Sequence, residues 1–575
     1  MKAPELILHG GRVVTLDPGR RIASAIAIAD GRVTAVGDDA SVRTLATAAT
    51  RSIDLRDRTV IPGLIDAHAH MDREGLKELL PSLAGCRSIG AIQERIARLA
   101  ALRPRGEWIV TLPVGDPPEF TGVPQCLAEQ RFPTRHDLDL AAPDHPVYIR
   151  AIWGPWRHTL PLVSIANSRA LALAGISRDT ASPSPSVEIG RDAAGEPTGV
   201  FIEHSLTPLV EFTLMSAVPG FTIAERIAGI ERSMAIYNAL GTTSIFEGHG
   251  VAADVLAAYE SVHRRSRMTV RSTLTFSPAW SRTAGAPAAE VFASWGKWLR
   301  GRGYGDAWLR LMGVHAEQGD SADHRLRARL LPQTGWAGFN YDANLPRAAL
   351  VELLLECARS DVMVVGLTPE MLDLFSAVDA RVPLAGKRWS LGHIIDLDRE
   401  RIDRIAGMGL IVSTHTNRYL FREGSQLANK LGPQRMRELV PLRSLREAGV
   451  TVCLASDNVP PNLFHPLWHV VARTTRDGDV VAPEQALTRE EALECACRNG
   501  AWLSRDEENK GTLEVGKLAD LAVLESDVLH CPAADIPGTL VALTVVDGRI
   551  VHQRRGDSAA DENLDGMRPV HGGDA

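Results

Sequence analysis

At 575 residues the chain is too long for one compact pair of layers. Its 45% hydrophobic and 23% charged content is that of a soluble globular enzyme, and a net charge of −7 without long like-charge runs gives no electrostatic case for nucleic acid or an anionic membrane. Seven scattered cysteines with no repeating framework, and no cationic, apolar leader segment, point to free thiols in a reducing, cytoplasmic setting. No stretch reaches the 18 apolar residues that would be expected of a membrane span.

Residues 4–60 read as short β runs: Leu6–Leu8 and Arg12–Leu16 about a Gly10-Gly11 turn, then Ala25–Ala29 and Arg32–Val36 as a hairpin across Asp30-Gly31. The apolar run from Thr59 ends in His68-Ala69-His70. Residues two apart on a strand share a face, so the two imidazoles stand side by side at its end, where they can bind one metal ion. With 18 histidines an H-x-H can arise by chance, but the apolar strand, Pro62-Gly63 and Asp66 before it weigh against that.

Eight strand-like runs interleaved with helices follow, at 61–67, 242–247, 268–276, 309–315, 362–367, 389–394, 409–414 and 451–456, which predicts an α/β fold built on a TIM barrel. Residues 75–235 are then an insertion after strand one, with a helix near 88–103 and Pro- and Trp-rich loops. Cys495 and Cys497 are expected to pack in the core of a helix. His465 and His469, four apart on a helix over 463–473, lack the Glu that H-E-x-x-H requires. Strand-like runs return at 510–524 and 542–551, and the polar tail 556–575 is predicted to be disordered.

Catalytic groups of a TIM barrel come from the C-terminal ends of its strands. Those ends carry His68 and His70, Glu247 and His249, His315 and Glu317, His393, His415, and Asp457. Polar groups gathered in a buried mouth need partners, which favours a site. Imidazole and carboxylate ligands suit Zn²⁺ with an open coordination position. Such an ion brings the pKa of water to about 7 and polarises a carbonyl, while a carboxylate can take the proton and pass it to a leaving amine. That sequence is hydrolysis of an amide-like C–N bond.

The segment V-I-P-G-L-I-D-A-H-A-H, the strand-eight run Val452–Asn458, Asn167-Ser168-Arg169-Ala170-Leu171 and Thr198–Glu203 together resemble the amidohydrolase superfamily, and within it the branch related to N-substituted formamide deformylase, from about residue 5 to about 555. The resemblance implies a β-sandwich split between residues 1–60 and 510–555, a distorted (β/α)8 barrel over 61–509, and an insertion capping its mouth. It implies that Asp457 binds the metal and accepts the proton of water, and that His393 is a further ligand or catalytic contact. Glu203 would face the site. Trp153, Trp156 and His158 would line a substrate pocket where the branch has a Gly-His pair.

Two positions depart from the pattern. The branch carries on strand four a carboxylated Lys that bridges two metals, where this chain has His315. It carries a His on strand five, where this chain has Val365 or Gly366. One divalent ion, Zn²⁺, is therefore expected rather than a bridged pair, with His68, His70, His315, His393 and Asp457 as its ligands. Glu203, Glu247, His249, Glu317, His415, Trp156 and His158 are the expected substrate contacts. The expected activity is hydrolysis of an amide, formamide, carbamate or cyclic imide in a small molecule, by a chain that can pair as a homodimer and has no nucleic-acid or membrane partner. A single-metal deaminase, or a barrel without activity serving as a binding subunit, are the alternatives.

Overall fold

The computed structural model describes residues 3–554 apart from 118–119, 121, 152–159, 206–207, 279, 281–285, 320 and 330–343. Eight strands form its centre: β1 (Leu64–Asp66), β2 (Thr242–Val251), β3 (Arg271–Phe276), β4 (Leu309–His315), β5 (Val364–Gly366), β6 (Ser390–Leu391), β7 (Ile411–Thr414) and β8 (Thr451–Leu454). Each pairs in parallel with the next. β8 returns to β1 through Ala67 N–H to Leu454 O (3.1 Å) and Asp457 N–H to His68 O (3.0 Å). Strands covered on both faces need apolar residues on both, which is why these runs read as continuous rather than alternating. Ala67, Phe246, Met312, Met363, Val365, Ile411 and Cys453 fill the barrel interior. Outer helices bury one stripe against the strands, as Arg347–Arg359 does with Leu350, Leu353, Leu354 and Cys357.

Two sheets draw on both ends of the chain. One runs Arg32–Gly37, Ala25–Ala29, Leu6–His9, Arg51–Asp54; the other runs Arg549–Gln553, Val541–Val546, Leu521–Leu524, Thr59–Pro62, Arg12–Val14, Ile22–Ala23. Leu8, Ile26, Ile28, Val60, Leu521 and Val545 belong to one apolar cluster spanning both sheets. At the first hairpin Asp30 and Gly31 both take positive φ (49° and 70°), as a two-residue type I′ turn requires.

The apolar run before His68 is two strands rather than the single one expected over 61–67. Thr59–Pro62 pairs with Arg12–Val14 and Leu521–Leu524, and only Leu64–Asp66 enters the barrel beside β2. The chain crosses at Gly63, where a Cβ would lie 2.1 Å from Thr243 Oγ1, so a larger residue would hold the two sheets apart. β2 runs on to Val251, beyond the expected end at 247, because Gly248 and Gly250 hide its alternation.

Between β1 and β2 lies a five-stranded sheet of order Val187–Arg191, Pro197–Glu203, Leu162–Ala166, Val147–Ile149, Ile109–Thr111. It is accompanied by the helix Ile89–Ala101, whose first turn is capped by Ser88. All seven cysteines are free, and Cys495 and Cys497 are buried at the end of the helix Arg489–Ala496. Among the described residues no helix is long and apolar enough to cross a membrane. The tail 556–575 lies outside the described residues.

Candidate metal centre at the barrel mouth

The ends of β1 and β8 are fastened by two buried polar side chains. Asp66 accepts hydrogen bonds from the amides of His68 (3.2 Å) and Ser456 (3.0 Å) and from the Ser456 hydroxyl. Burial lifts the pKa of its carboxyl to about 7, against the pull of those bonds. Asn458 accepts from the His70 amide and the Tyr237 hydroxyl, both at 2.7 Å, and its Nδ2 donates to His70 O (3.0 Å) and Glu74 Oε2 (2.7 Å). Held this way, Asp457 Oδ1 lies 2.9 Å from His70 Nε2 and 3.8 Å from His68 Nε2. His393, Asp457 and Asn458 have positive φ values of 50°, 52° and 57°, a strained left-handed backbone of the kind that gathers at functional sites.

The other strands add their ends to this pair. From β2, Glu247 Oε1 lies 2.8 Å from His70 Nδ1, and the His249 ring stacks on His70 with centroids 5.0 Å apart. Between them Gly248 lies against His68, where a Cβ would come within 2.2 Å of Nδ1. At the end of β4, the His315 ring sits 5.5 Å from that of His249 and its Nδ1 donates to Val365 O at 3.2 Å. Just beyond β6, His393 Nδ1 is bonded to the Tyr419 hydroxyl (2.9 Å). Just beyond β7, His415 stacks on His393 at 3.9 Å and brings Nδ1 to 3.5 Å from Asp457 Oδ2.

Two expected substrate contacts are placed otherwise. Glu317 accepts from the Leu367 amide and the Thr368 hydroxyl (2.9 Å), fastening the loop after β5. Glu203 accepts from the amides of Leu209 (2.5 Å) and Val210 (3.0 Å) at the start of a single helical turn. Burial raises both carboxyls to about 7. Trp153, Trp156 and His158 lie outside the described residues. His469 packs on Phe421, with centroids 4.9 Å apart, and lies near the Thr416 hydroxyl.

Three neighbours of the site escaped the sequence reading. Arg73 is buried, touches His70 Nδ1 and lies 3.6 Å from Glu247 Oε1. Tyr419 sits on a π-helical turn, Asn417–Arg422, and Asn458 directly follows Asp457. Asn458 could have been found from its place in the S-D-N run; nothing in the local pattern marks the other two.

Burial drives the pKa values of His68, His249 and His393 well below the ordinary imidazole value, helped by their mutual repulsion, and burial alone takes His315 to about 4. Burial thus favours the neutral form of these rings. His70 differs: burial and Arg73 push its pKa down, but Glu247 and Asp457 outweigh them and lift it to about 9. Burial raises Asp457, yet His415 and His70 outweigh that and keep it well below the usual carboxylate range.

Among the described residues, both ring nitrogens of His68, both of His415 and Nε2 of His393 are buried without a hydrogen-bond partner. A buried polar atom left in that state costs about 1–3 kcal/mol. Two histidine sets, His68/His70/His249 and His68/His393/His415, each bring three ligand nitrogens within 4.8 Å of one another. Neutral imidazoles converging beside a carboxylate are a donor set that fits a divalent transition metal.

The model of the amidohydrolase family matches residues 51–552, and the chain belongs to that family. N-substituted formamide deformylase of Arthrobacter pascens is 26% identical over 96% of this chain and 99% of its own length. A metal-dependent hydrolase from Pyrococcus horikoshii OT3 shares the fold with a TM-score of 0.66 at 18% identity, over 92% of this chain and 99% of its own. Another from Pyrococcus furiosus does so with 0.64 at 20%, over 91% and 99%. The protein is thus a metal-dependent amidohydrolase of carbon–nitrogen bonds other than peptide bonds.

Proposed function

We propose that this enzyme hydrolyses the C–N bond of a small amide-type molecule, with a formamide favoured over an amide, carbamate or cyclic imide, using one Zn²⁺ ion held by His68, His393 and Asp457, with His70 bonded to the Asp457 carboxylate. The observation that carries the reading is the Asp457 carboxylate, 2.9 Å from His70 and 3.8 Å from His68 at the mouth of the barrel. Its similarity to the Arthrobacter formamide deformylase supports the choice of bond. When bound, such an ion supplies Lewis acidity and makes water acidic enough to lose a proton near pH 7.

The residues do the rest. A quarter of the Asp457 side chain reaches solvent, so its carboxylate can take a proton from water. As the oxygen of that water bonds to the carbonyl carbon and the C–N bond breaks, Asp457 returns the proton to the departing nitrogen, giving an amine and a carboxylic acid. Glu247 fixes one nitrogen of His70 and Tyr419 fixes one nitrogen of His393, leaving His393 Nε2 unbonded. A single-ion deaminase is the second reading, favoured by His249 and His315, two imidazoles that hydrolysis leaves without a part.

The test is a panel of N-substituted formamides, acetamides, carbamates, cyclic imides and amino-heterocycles offered to Zn²⁺-loaded protein. Amine and formate in equal amounts, lost on chelation and restored by Zn²⁺, are expected. Ammonia from the amino-heterocycles alone would favour the deaminase, and no turnover on any of them would sink both readings.

A further inference from the structure

β5 offers the centre no ligand: Val365, Gly366 and Leu367 are buried, and the Leu367 amide is taken by Glu317. We propose that His415, just past the end of β7, is a metal ligand in place of one from β5, completing a three-imidazole set with His68 and His393. The proposal rests on the metal-dependent reading above.

The geometry of this set is specific. Its ring nitrogens lie within 4.8 Å of one another, and its rings meet at 3.9 Å (His393–His415), 4.7 Å (His68–His415) and 5.8 Å (His68–His393). Zn–N bonds of about 2.0–2.1 Å in a tetrahedral arrangement put ligand nitrogens about 3.3 Å apart, so small rotations of the side chains suffice. Gly392 keeps room for Leu367 and leaves His415 at ordinary contact distance. A Cβ there would come 3.5 Å from His415 Nε2 and 2.6 Å from Leu367.

The hydrogen bonding of the mouth separates the two histidine sets. Both nitrogens of His70 are engaged, Nδ1 with Glu247 and Arg73 and Nε2 with Asp457, and the Arg73 guanidinium puts positive charge on that side. On the β6–β7 side, both nitrogens of His415 and of His68, and Nε2 of His393, are buried without hydrogen-bond partners among the described residues. His393 is already turned by Tyr419, the arrangement that orients ligating imidazoles. His415 has a carboxylate oxygen of Asp457 3.5 Å away and 1% of its side chain exposed.

The experiment measures Zn²⁺ affinity of the full chain by competition with a chelating dye, alongside the visible spectrum of the Co²⁺ form. Wild type, His415→Gln, His315→Gln and His415→Cys are compared, with thermal midpoints of the metal-free proteins reporting folding. His415→Gln is expected to bind Zn²⁺ at least tenfold more weakly and to lose Co²⁺ ligand-field intensity, while His315→Gln stays within about threefold of wild type. His415→Cys, which covers the case of a Gln variant that does not fold, should give a thiolate-to-cobalt charge-transfer band. Wild-type affinity in His415→Gln, or no such band in a cobalt-loaded His415→Cys, would overturn the assignment and leave the metal-dependent reading standing. A wild-type chain that takes up neither ion would overturn both.

Discussion

Asp457 is the residue at which chemistry and folding can be separated. An amide in its place has nearly the same volume and still hydrogen-bonds to His70, but it cannot accept the proton of water and is a poor ligand. Asp457→Asn should lower turnover by about 10²–10⁴-fold or more with little change in thermal midpoint. Turnover of the metal-loaded variant and melting of the metal-free proteins check this, and near-normal turnover would remove the mechanism. Gly248→Ala makes the opposite kind of change, since its Cβ would come 2.2 Å from His68 Nδ1. It should displace His68, weaken Zn²⁺ binding about tenfold or more, and destabilise the fold by about 1–3 kcal/mol, the usual cost of overpacking. Dye competition and denaturant melts read the two effects separately. His68, His70 and Asp457 were legible because each sits in a short motif at a strand end, and alternation alone placed Glu247 and His249 together. Arg73 was not, because an Arg three residues after a His looks like any solvated cation. Tyr419 was hidden because nothing in the sequence says that one helical turn widens to a π-turn.

Carboxylates at the ends of elements show the same limit one level up. Glu203 and Glu317 end or follow strands, as a substrate-binding group would, yet both cap backbone amides. Spacing cannot tell these uses apart; their partners Leu209, Val210 and Leu367 are chosen by loop paths. The Glu203 carboxyl has a consequence that can be measured. Burial raises its pKa from 4.5 to about 7, so the folded chain keeps a proton that the unfolded chain gives up between those values. This contribution favours folding most below pH 4.5 and is lost as pH rises to 7. Glu203→Gln, uncharged throughout, should match wild type near pH 4 and exceed its stability by up to roughly 3 kcal/mol above pH 7, at about 1.4 kcal/mol per unit. Melting curves across that range decide it, and parallel curves would contradict the assignment. The strand run before His68 gives the matching lesson for the fold. Its apolar character was plain, but periodicity does not say which sheet a residue joins, and the change of sheet at Gly63 depends on Thr243, far away in sequence.

For the molecule as a whole, removing the ion should cost stability as well as activity. A ligand bound only by the folded state stabilises it by about 4 kcal/mol when its free concentration is a thousand times its Kd. Chelator-treated protein should therefore melt lower in calorimetry and recover both midpoint and turnover with Zn²⁺. An unchanged midpoint together with unchanged turnover would contradict a resident metal. The barrel was readable as a succession of buried strands, and the eight-strand count already set strand one beside strand eight; the side chains that fasten that seam were not readable, because they depend on contacts between distant segments. Asp66 and Ser456, which fasten that seam, are 390 residues apart, and Thr59–Pro62 sits between Arg12–Val14 and Leu521–Leu524. At roughly 5–20 residues per second, the 387 positions that separate His70 from Asp457 take about 20–80 s to be made. Throughout that interval the H-x-H pair exists without Asp457. A centre whose donors stand so far apart along the chain is made by the docking of distant segments and not by any one local motif.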